Sequence, residues 1–234
     1  MLRDNLERVR QRVQQACQRC GRQPSSVTLI GVTKTVPPEI IQEAVALGLT
    51  ELGENRVQEA RMKQLALGSR LTAEGKSVQW HLIGHLQSNK IKHAIELFDV
   101  VHSVDSVTLI QGLEQQAEQQ ARNIQSFIQV NVSGETTKSG CRPEDTEALI
   151  RVLLRCSYIK LKGLMTIAPF VAHADDARSV FQQLRRLRDQ LAHTFSLEPS
   201  ALSLSMGMSH DFEIAIEEGA DWIRVGTAIF GGRG

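Results

Sequence analysis

Short apolar runs alternate along this chain with longer stretches in which apolar residues recur every three or four positions. The runs are VTLIGVTK (27–34), TELGEN (50–55), VQWHLIG (78–84), DVVHSVD (99–105), SFIQVNVSG (126–134), KLKGLMTIA (160–168), ALSLSMGM (201–208) and WIRVG (222–226). Each is brief and bounded by turn or charged residues, the pattern of a strand buried on both faces. Helix signals fill the gaps. An amphipathic segment at about Leu6–Cys20 predicts a first helix, and Pro37-Pro38 opens a second, since proline suits the first helical turn. Ser88 is placed to cap IKHAIELF, and Ser106 to cap the segment through Gln120. Pro143 with Glu144 and Asp145 opens another, residues 173–193 form a long amphipathic stretch, and Ser209 with Asp211 starts one more.

Alternating units of this kind imply a parallel sheet. Eight strand–helix units in a chain of 234 residues fit one closed (β/α)8 barrel over 1–234, preceded by an extra N-terminal helix. No linker, low-complexity segment or repeat divides the chain. The alternative is a doubly wound open sheet, but no G-x-G-x-x-G follows the first strand.

Composition narrows the function. Hydrophobic residues make up 41% and charged residues 23%, enough for an ordinary core. The net charge of +1 gives no electrostatic case for nucleic acid or membrane, and 4% aromatics offer no base-stacking platform. The first residues, MLRDNLERVRQRVQQ, lack the apolar region of a signal peptide, and no apolar run is long enough to cross a bilayer. These features predict a cytoplasmic protein. Of the four cysteines, Cys17 and Cys20 form a lone C-x-x-C, read as reduced thiols rather than a metal or redox site.

In such barrels the chemistry sits at the C-terminal ends of the strands. Strand one delivers Lys34, strand two Glu54, Asn55 and Arg56, strand three His81, and strand five a Gly/Thr/Ser loop with Lys138. Strand six delivers Met165 and Thr166, strand seven Met208 and Ser209, and strand eight Arg224, Gly226 and Thr227. The loops after strands seven and eight commonly hold phosphate through backbone N–H groups. Gly226 permits a close backbone approach there, and the hydroxyls of Ser209 and Thr227 are donors. Alone, Ser209 reads equally well as a helix cap, Gly226 as a turn residue, and Lys34 as a lysine snorkelling from a strand end. Together, an amine on strand one facing an anion site on strands seven and eight suits an aldehyde that carries a phosphate, namely pyridoxal 5′-phosphate held as a Schiff base. Arg224 points the same way as Gly226, toward the ring nitrogen, and a cation there keeps that nitrogen unprotonated.

The motifs GVTKTVP, LGENRVQEA, WHLIGHLQSNK, VHSVDS, VNVSGETTKSG, GLMTIAP and LSMGMSHDFEIAIEEGADWIRVGTAIFG stand in this order over almost the whole chain. By them the sequence closely resembles the YggS/PROSC family of pyridoxal-phosphate homeostasis proteins. The resemblance implies a barrel of the alanine-racemase N-terminal type (fold type III). It implies the cofactor on Lys34, Asn55 and Met165 beside the ring, and Arg224 at the pyridine nitrogen. Phosphate would be held by Ser209, the Met208 backbone, Gly226 and Thr227. His85 and His210 are small departures from the pattern.

A two-base racemase of this barrel type needs a second acid/base, normally a tyrosine from a further domain. The only tyrosine, Tyr158, precedes strand six at the wrong end. The expectation is therefore a monomeric binding and homeostasis protein without catalytic activity, releasing cofactor to apo-enzymes, with His81 and Lys138 as accessory residues. The alternatives are an enzyme acting on an unidentified amino acid with the same cofactor, and a cofactor-free Schiff-base aldolase.

Overall fold

In the computed structural model the described residues are 1–73, 77–135, 139–169 and 173–232, with backbone only for 69–73. Eight parallel strands close on themselves in sequence order: β1 (Thr28–Val32), β2 (Glu51–Glu54), β3 (Gln79–Leu82), β4 (Val100–Val104), β5 (Ile124–Gln129), β6 (Ile159–Met165), β7 (Ser203–Met208) and β8 (Trp222–Val225). Closure comes from β1, which pairs with β2 on one side and β8 on the other, Ile30 lying opposite Arg224. Helices α1 (Leu2–Arg19), α2 (Pro38–Ala46), α3 (Val57–Ala73), α4 (Ile91–Leu97), α5 (Val107–Gln119), α6 (Thr146–Leu153), α7 (Arg178–Thr194), α8 (Phe212–Glu217) and α9 (Thr227–Phe230) surround the barrel.

The apolar residues divide into two layers. The larger lies between strands and helices, with Leu52, Phe98, Phe181 and Phe212 buried in it. A small inner layer fills the barrel: Val100, Phe127 and Met165, with Trp222 packed against them. A barrel of this size is a packed core rather than a pore. Helix α1 docks against α8 and α9. Arg12 reaches Glu213 at 2.6 Å and lies 4.5 Å over the Phe212 ring, Arg19 pairs with Glu217 at 2.7 Å, and the Asn5 amide donates to the Ile229 carbonyl.

The sequence expectations hold for all eight strands, with local corrections. The fifth strand was expected at 126–134, but β5 begins at Ile124 and ends at Gln129. The run VNVSG keeps the apolar alternation, yet the Asn131 side chain donates to the Glu135 carbonyl and Ser133 to Asn131. Such local side-chain bonds compete with the strand ladder and turn the chain away. Ser106 caps α5 as expected, accepting from the Leu109 N–H at 3.3 Å. Ser88 instead starts a 3₁₀ turn, and α4 begins at Ile91. Helix α3 has no proline or hydroxyl cap at its start and is missing from the sequence reading. The four cysteines are free, and the described residues contain no cluster of three or more metal-ligating side chains. No described helix is long and apolar enough to cross a membrane.

Candidate functional site

Lys34 stands two residues past the end of β1, half-buried, in a backbone held from both sides. Thr35, next to it, has φ 64°, the left-handed region that costs a β-branched residue strain energy. What holds it is a buried ion cluster from α3. Lys63 Nζ donates to the Thr33 carbonyl at 2.5 Å, to Glu54 Oε1 at 2.7 Å and to Glu59 Oε1 at 2.6 Å. Glu59 Oε1 also accepts the Thr35 N–H at 2.6 Å, and the Thr33 hydroxyl donates to Glu54. One buried ammonium thus fixes the residues on either side of Lys34. Burial pushes the Glu54 carboxyl above its ordinary range, against the hydrogen bonds from Lys63 and Thr33. Glu54 Oε2 is buried with no partner among the described residues. Burial also pushes Glu59 up, but its bonds from Lys63 and Thr35, with the Lys63 and Lys34 charges, outweigh that and hold it below its usual value. Lys63 and Glu59 escaped the sequence reading. Their signal was the i, i+4 spacing that sets an acid and a lysine on one helix face.

Beside Lys34, across the β1–β8 pairing, the loops after β7 and β8 are tied together by one hydroxyl. Ser209 Oγ accepts from the Gly226 N–H at 3.1 Å and the Ala228 N–H at 3.3 Å. Two backbone donors therefore converge on a point already occupied by an oxygen, the arrangement an anion's oxygen would require. Gly207 makes the β7 turn possible: its φ is 90°, and a Cβ there would lie 2.5 Å from that of Ala215. The Met208 N–H is not free for an anion, since Asp211 Oδ1 accepts it at 2.6 Å. Burial pushes the Asp211 carboxyl up despite that bond. Lys34, Gly226 and Thr227 line one cavity of about 770 Å³ with Val32, Val36 and Phe230.

Arg224 lies deeper. It is buried, with Nη1 donating to Ser205 Oγ at 2.7 Å and Nη2 to the Thr166 carbonyl at 2.8 Å. Burial lowers its pKa to about 10, opposed by the Asp211 charge, so it remains a cation at neutral pH. Met165, also buried, belongs to the inner apolar layer beside Phe127. Asn55 lines a second cavity at the mouth, of about 170 Å³, with Ile83, Gln129 and Asn131. Gly84 is required beside it, because a Cβ there would lie 2.3 Å from the Asn55 carbonyl oxygen.

Two accessory residues fare differently. His81 is not at the mouth: it is fully buried inside the barrel, between Glu51 and His102. Lys138 lies outside the described residues. Tyr158 immediately precedes β6, at the end of the barrel away from Lys34, with its N–H bonded to Glu114.

Residues 5–234 match the family described as alanine racemase, N-terminal domain. A pyridoxal phosphate homeostasis protein from Aquifex aeolicus is 42% identical, over 98% of this chain and 97% of its own length. One from Escherichia coli K12 is 35% identical, over 98% of this chain and 95% of its own. The chain belongs to the pyridoxal phosphate homeostasis protein family. Among solved structures, PipY of Synechococcus elongatus without PLP superposes with a TM-score of 0.85 at 38% identity, covering 99% of this chain and 100% of that one. PipY with PLP bound gives 0.83 at 36% identity with the same coverage. An alanine racemase from Clostridium difficile gives 0.72 at 13% identity, covering 99% of this chain but 56% of the racemase, a likeness of fold alone.

Proposed function

We propose that this protein binds pyridoxal 5′-phosphate at the barrel mouth and serves intracellular vitamin B6 and amino-acid/keto-acid homeostasis. Lys34 is the amine that holds the aldehyde reversibly. Ser209, Gly226 and Thr227 receive the phosphate, Arg224 faces the ring nitrogen, and Asn55 and Met165 flank the ring. Met208 contributes through the loop it shares with Ser209, its own N–H being committed to Asp211. When bound, the cofactor supplies an electron sink for amino-acid chemistry.

The observation that carries this reading is the meeting of Lys34, Gly226 and Thr227 around one cavity. The donor set fits the group: an amine, two backbone N–H groups converging on one oxygen, and a buried guanidinium. Ser209 already satisfies the two N–H groups, so an incoming phosphate exchanges one oxygen acceptor for another and leaves no donor stranded. Arg224 presents its charge where a protonated ring nitrogen would be opposed, which weakens the sink and favours storage over turnover. The distance of Tyr158 from the mouth supports the same view, as no tyrosine stands ready as a second base. The protein then acts as a cytoplasmic monomer that gives up its cofactor to apo-enzymes.

The test is spectroscopic. Purified protein given pyridoxal phosphate gains a visible band, borohydride removes it, and peptide mapping finds the reduced adduct on Lys34. Lys34→Ala shows neither band nor adduct. An adduct on another lysine with Lys34 unmodified overturns the assignment. Turnover of one amino acid, lost in Lys34→Ala, would establish an enzyme instead.

A further inference from the structure

Beneath the mouth a file of polar groups crosses the barrel interior. Arg224 Nη1 meets Ser205 Oγ at 2.7 Å, and Ser205 Oγ meets His102 Nδ1 at 2.9 Å. His102 Nε2 meets His81 Nδ1 at 3.0 Å, and His81 Nε2 meets Glu51 Oε2 at 2.7 Å. The five residues come from β8, β7, β4, β3 and β2. Ser205, His102 and His81 are wholly buried, while the Glu51 side chain is 22% exposed. Glu51 also lines a cavity of about 350 Å³ with Arg10, Thr28 and Leu49, at the end of the barrel away from Lys34. Apolar rings enclose the file: Phe127 stacks on His102 at 4.4 Å, and Trp222 lies 5.5 Å from His81. Polar groups so placed are costly unless every donor and acceptor is matched.

The two ends dictate how they are matched. An arginine only donates and a carboxylate only accepts. Ser205 accepts from Arg224, so its single hydrogen goes to His102 Nδ1. His102 then carries its hydrogen on Nε2 and donates to His81 Nδ1. His81 in turn carries its hydrogen on Nε2 and donates to Glu51. Each hydrogen is used once, and both rings are neutral. The other order has a doubly protonated His81 and His102 donating to Ser205. It leaves the Ser205 hydrogen without an acceptor among the described contacts, and it adds a cation to a dry core that already holds Arg224. Burial above all, with the Arg224 charge added, holds His102 well below its ordinary pKa and opposes that order as well.

We propose that Glu51, His81, His102 and Ser205 form a one-directional positioning chain. It locks the Arg224 guanidinium from below, so that its remaining N–H groups face the ring nitrogen of pyridoxal phosphate. The inference rests on the cofactor reading above. The chain does something a carboxylate beside Arg224 would not: it orients the fork through a neutral hydroxyl and keeps the negative charge at the far end of the barrel. Glu51 itself therefore does not offset the charge that Arg224 turns toward the ring, and Asp211 is the carboxylate whose charge acts on it. Glu51 is a positioning residue that touches no cofactor.

Two measurements test this. In the cofactor-free protein, ¹⁵N spectra of the histidine rings near neutral pH should show His81 and His102 both neutral with the hydrogen on Nε2. An imidazolium at either, or a hydrogen on Nδ1 of either, overturns the chain. This needs no variant and no cofactor, so it stands apart from the binding reading. In the loaded protein, Glu51→Leu should weaken pyridoxal phosphate affinity about tenfold and shift the visible band, while Glu51→Gln, whose carbonyl still accepts, stays within about twofold of wild type. Melting temperature controls for folding, and the Lys34 adduct forms in all three proteins. Wild-type affinity and an unshifted band in Glu51→Leu overturn the positioning role. Failure of wild type to bind the cofactor would sink the binding reading, with the ring spectra still deciding the direction of the chain.

Discussion

Lys34 shows how much structure one reactive amine demands. Its neighbours Thr33 and Thr35 are pinned by Lys63, the latter through Glu59, and Thr35 is kept in a backbone conformation it would leave if free. Removing Lys63 would leave Glu54 buried without its cation, the situation in which broken buried pairs cost most. Lys63→Met should therefore lose about 3–5 kcal/mol in urea unfolding, and adding Glu54→Gln should recover part of it. A loss below about 1 kcal/mol would mean the cluster is not the support of this turn. Thr35→Gly should act the other way. Glycine adopts φ 64° without strain, so stability should rise by about 1 kcal/mol on the same denaturation curve. Lys34→Ala should barely change stability, because this half-buried side chain serves the ligand rather than the core.

At the scale of elements, the strands were legible because burial on both faces writes them as unbroken apolar runs. Their ends were less so. VNVSG looks like strand until the Asn131 side chain takes the Glu135 carbonyl, a contact that no alternation of apolar residues encodes. Alternation also says which side of the sheet a residue faces but not how deep it lies, which is why His81 was placed at the mouth when it belongs to the interior. The anion loops were readable from their glycines and hydroxyls. That Met208 gives its N–H to Asp211 was not, since it depends on how tightly the turn closes. That tightness makes Gly207 testable. Alanine there meets both the positive φ and the Ala215 methyl, and should cost about 2–4 kcal/mol and loosen phosphate binding more than Asn55 contacts. Inorganic phosphate competition against bound cofactor separates the two effects.

Across the whole molecule, the barrel stores its polar groups in the interior and is tuned by pH as a result. His102 is held neutral by burial, whereas in the unfolded chain it takes up a proton near its ordinary value of 6.5. A base with a depressed folded pKa contributes stability above the unfolded value and loses it as pH falls. The buried carboxyls of Glu54, Asp105 and Asp211 act in the opposite sense, because burial raises each of them and the folded state holds their protons longer. Total stability against pH therefore mixes the two, and a single curve assigns neither. The comparison that isolates His102 is wild type against His102→Gln, in which the carboxyl contributions largely cancel. Between pH 7 and 5 the wild type should lose ground to the variant, approaching about 1.4 kcal/mol for each pH unit below about 6. Urea denaturation at three pH values measures it. A constant difference would mean that the ring takes up its proton as readily inside the barrel as outside, and a charged histidine there is incompatible with a hydroxyl that must donate to it.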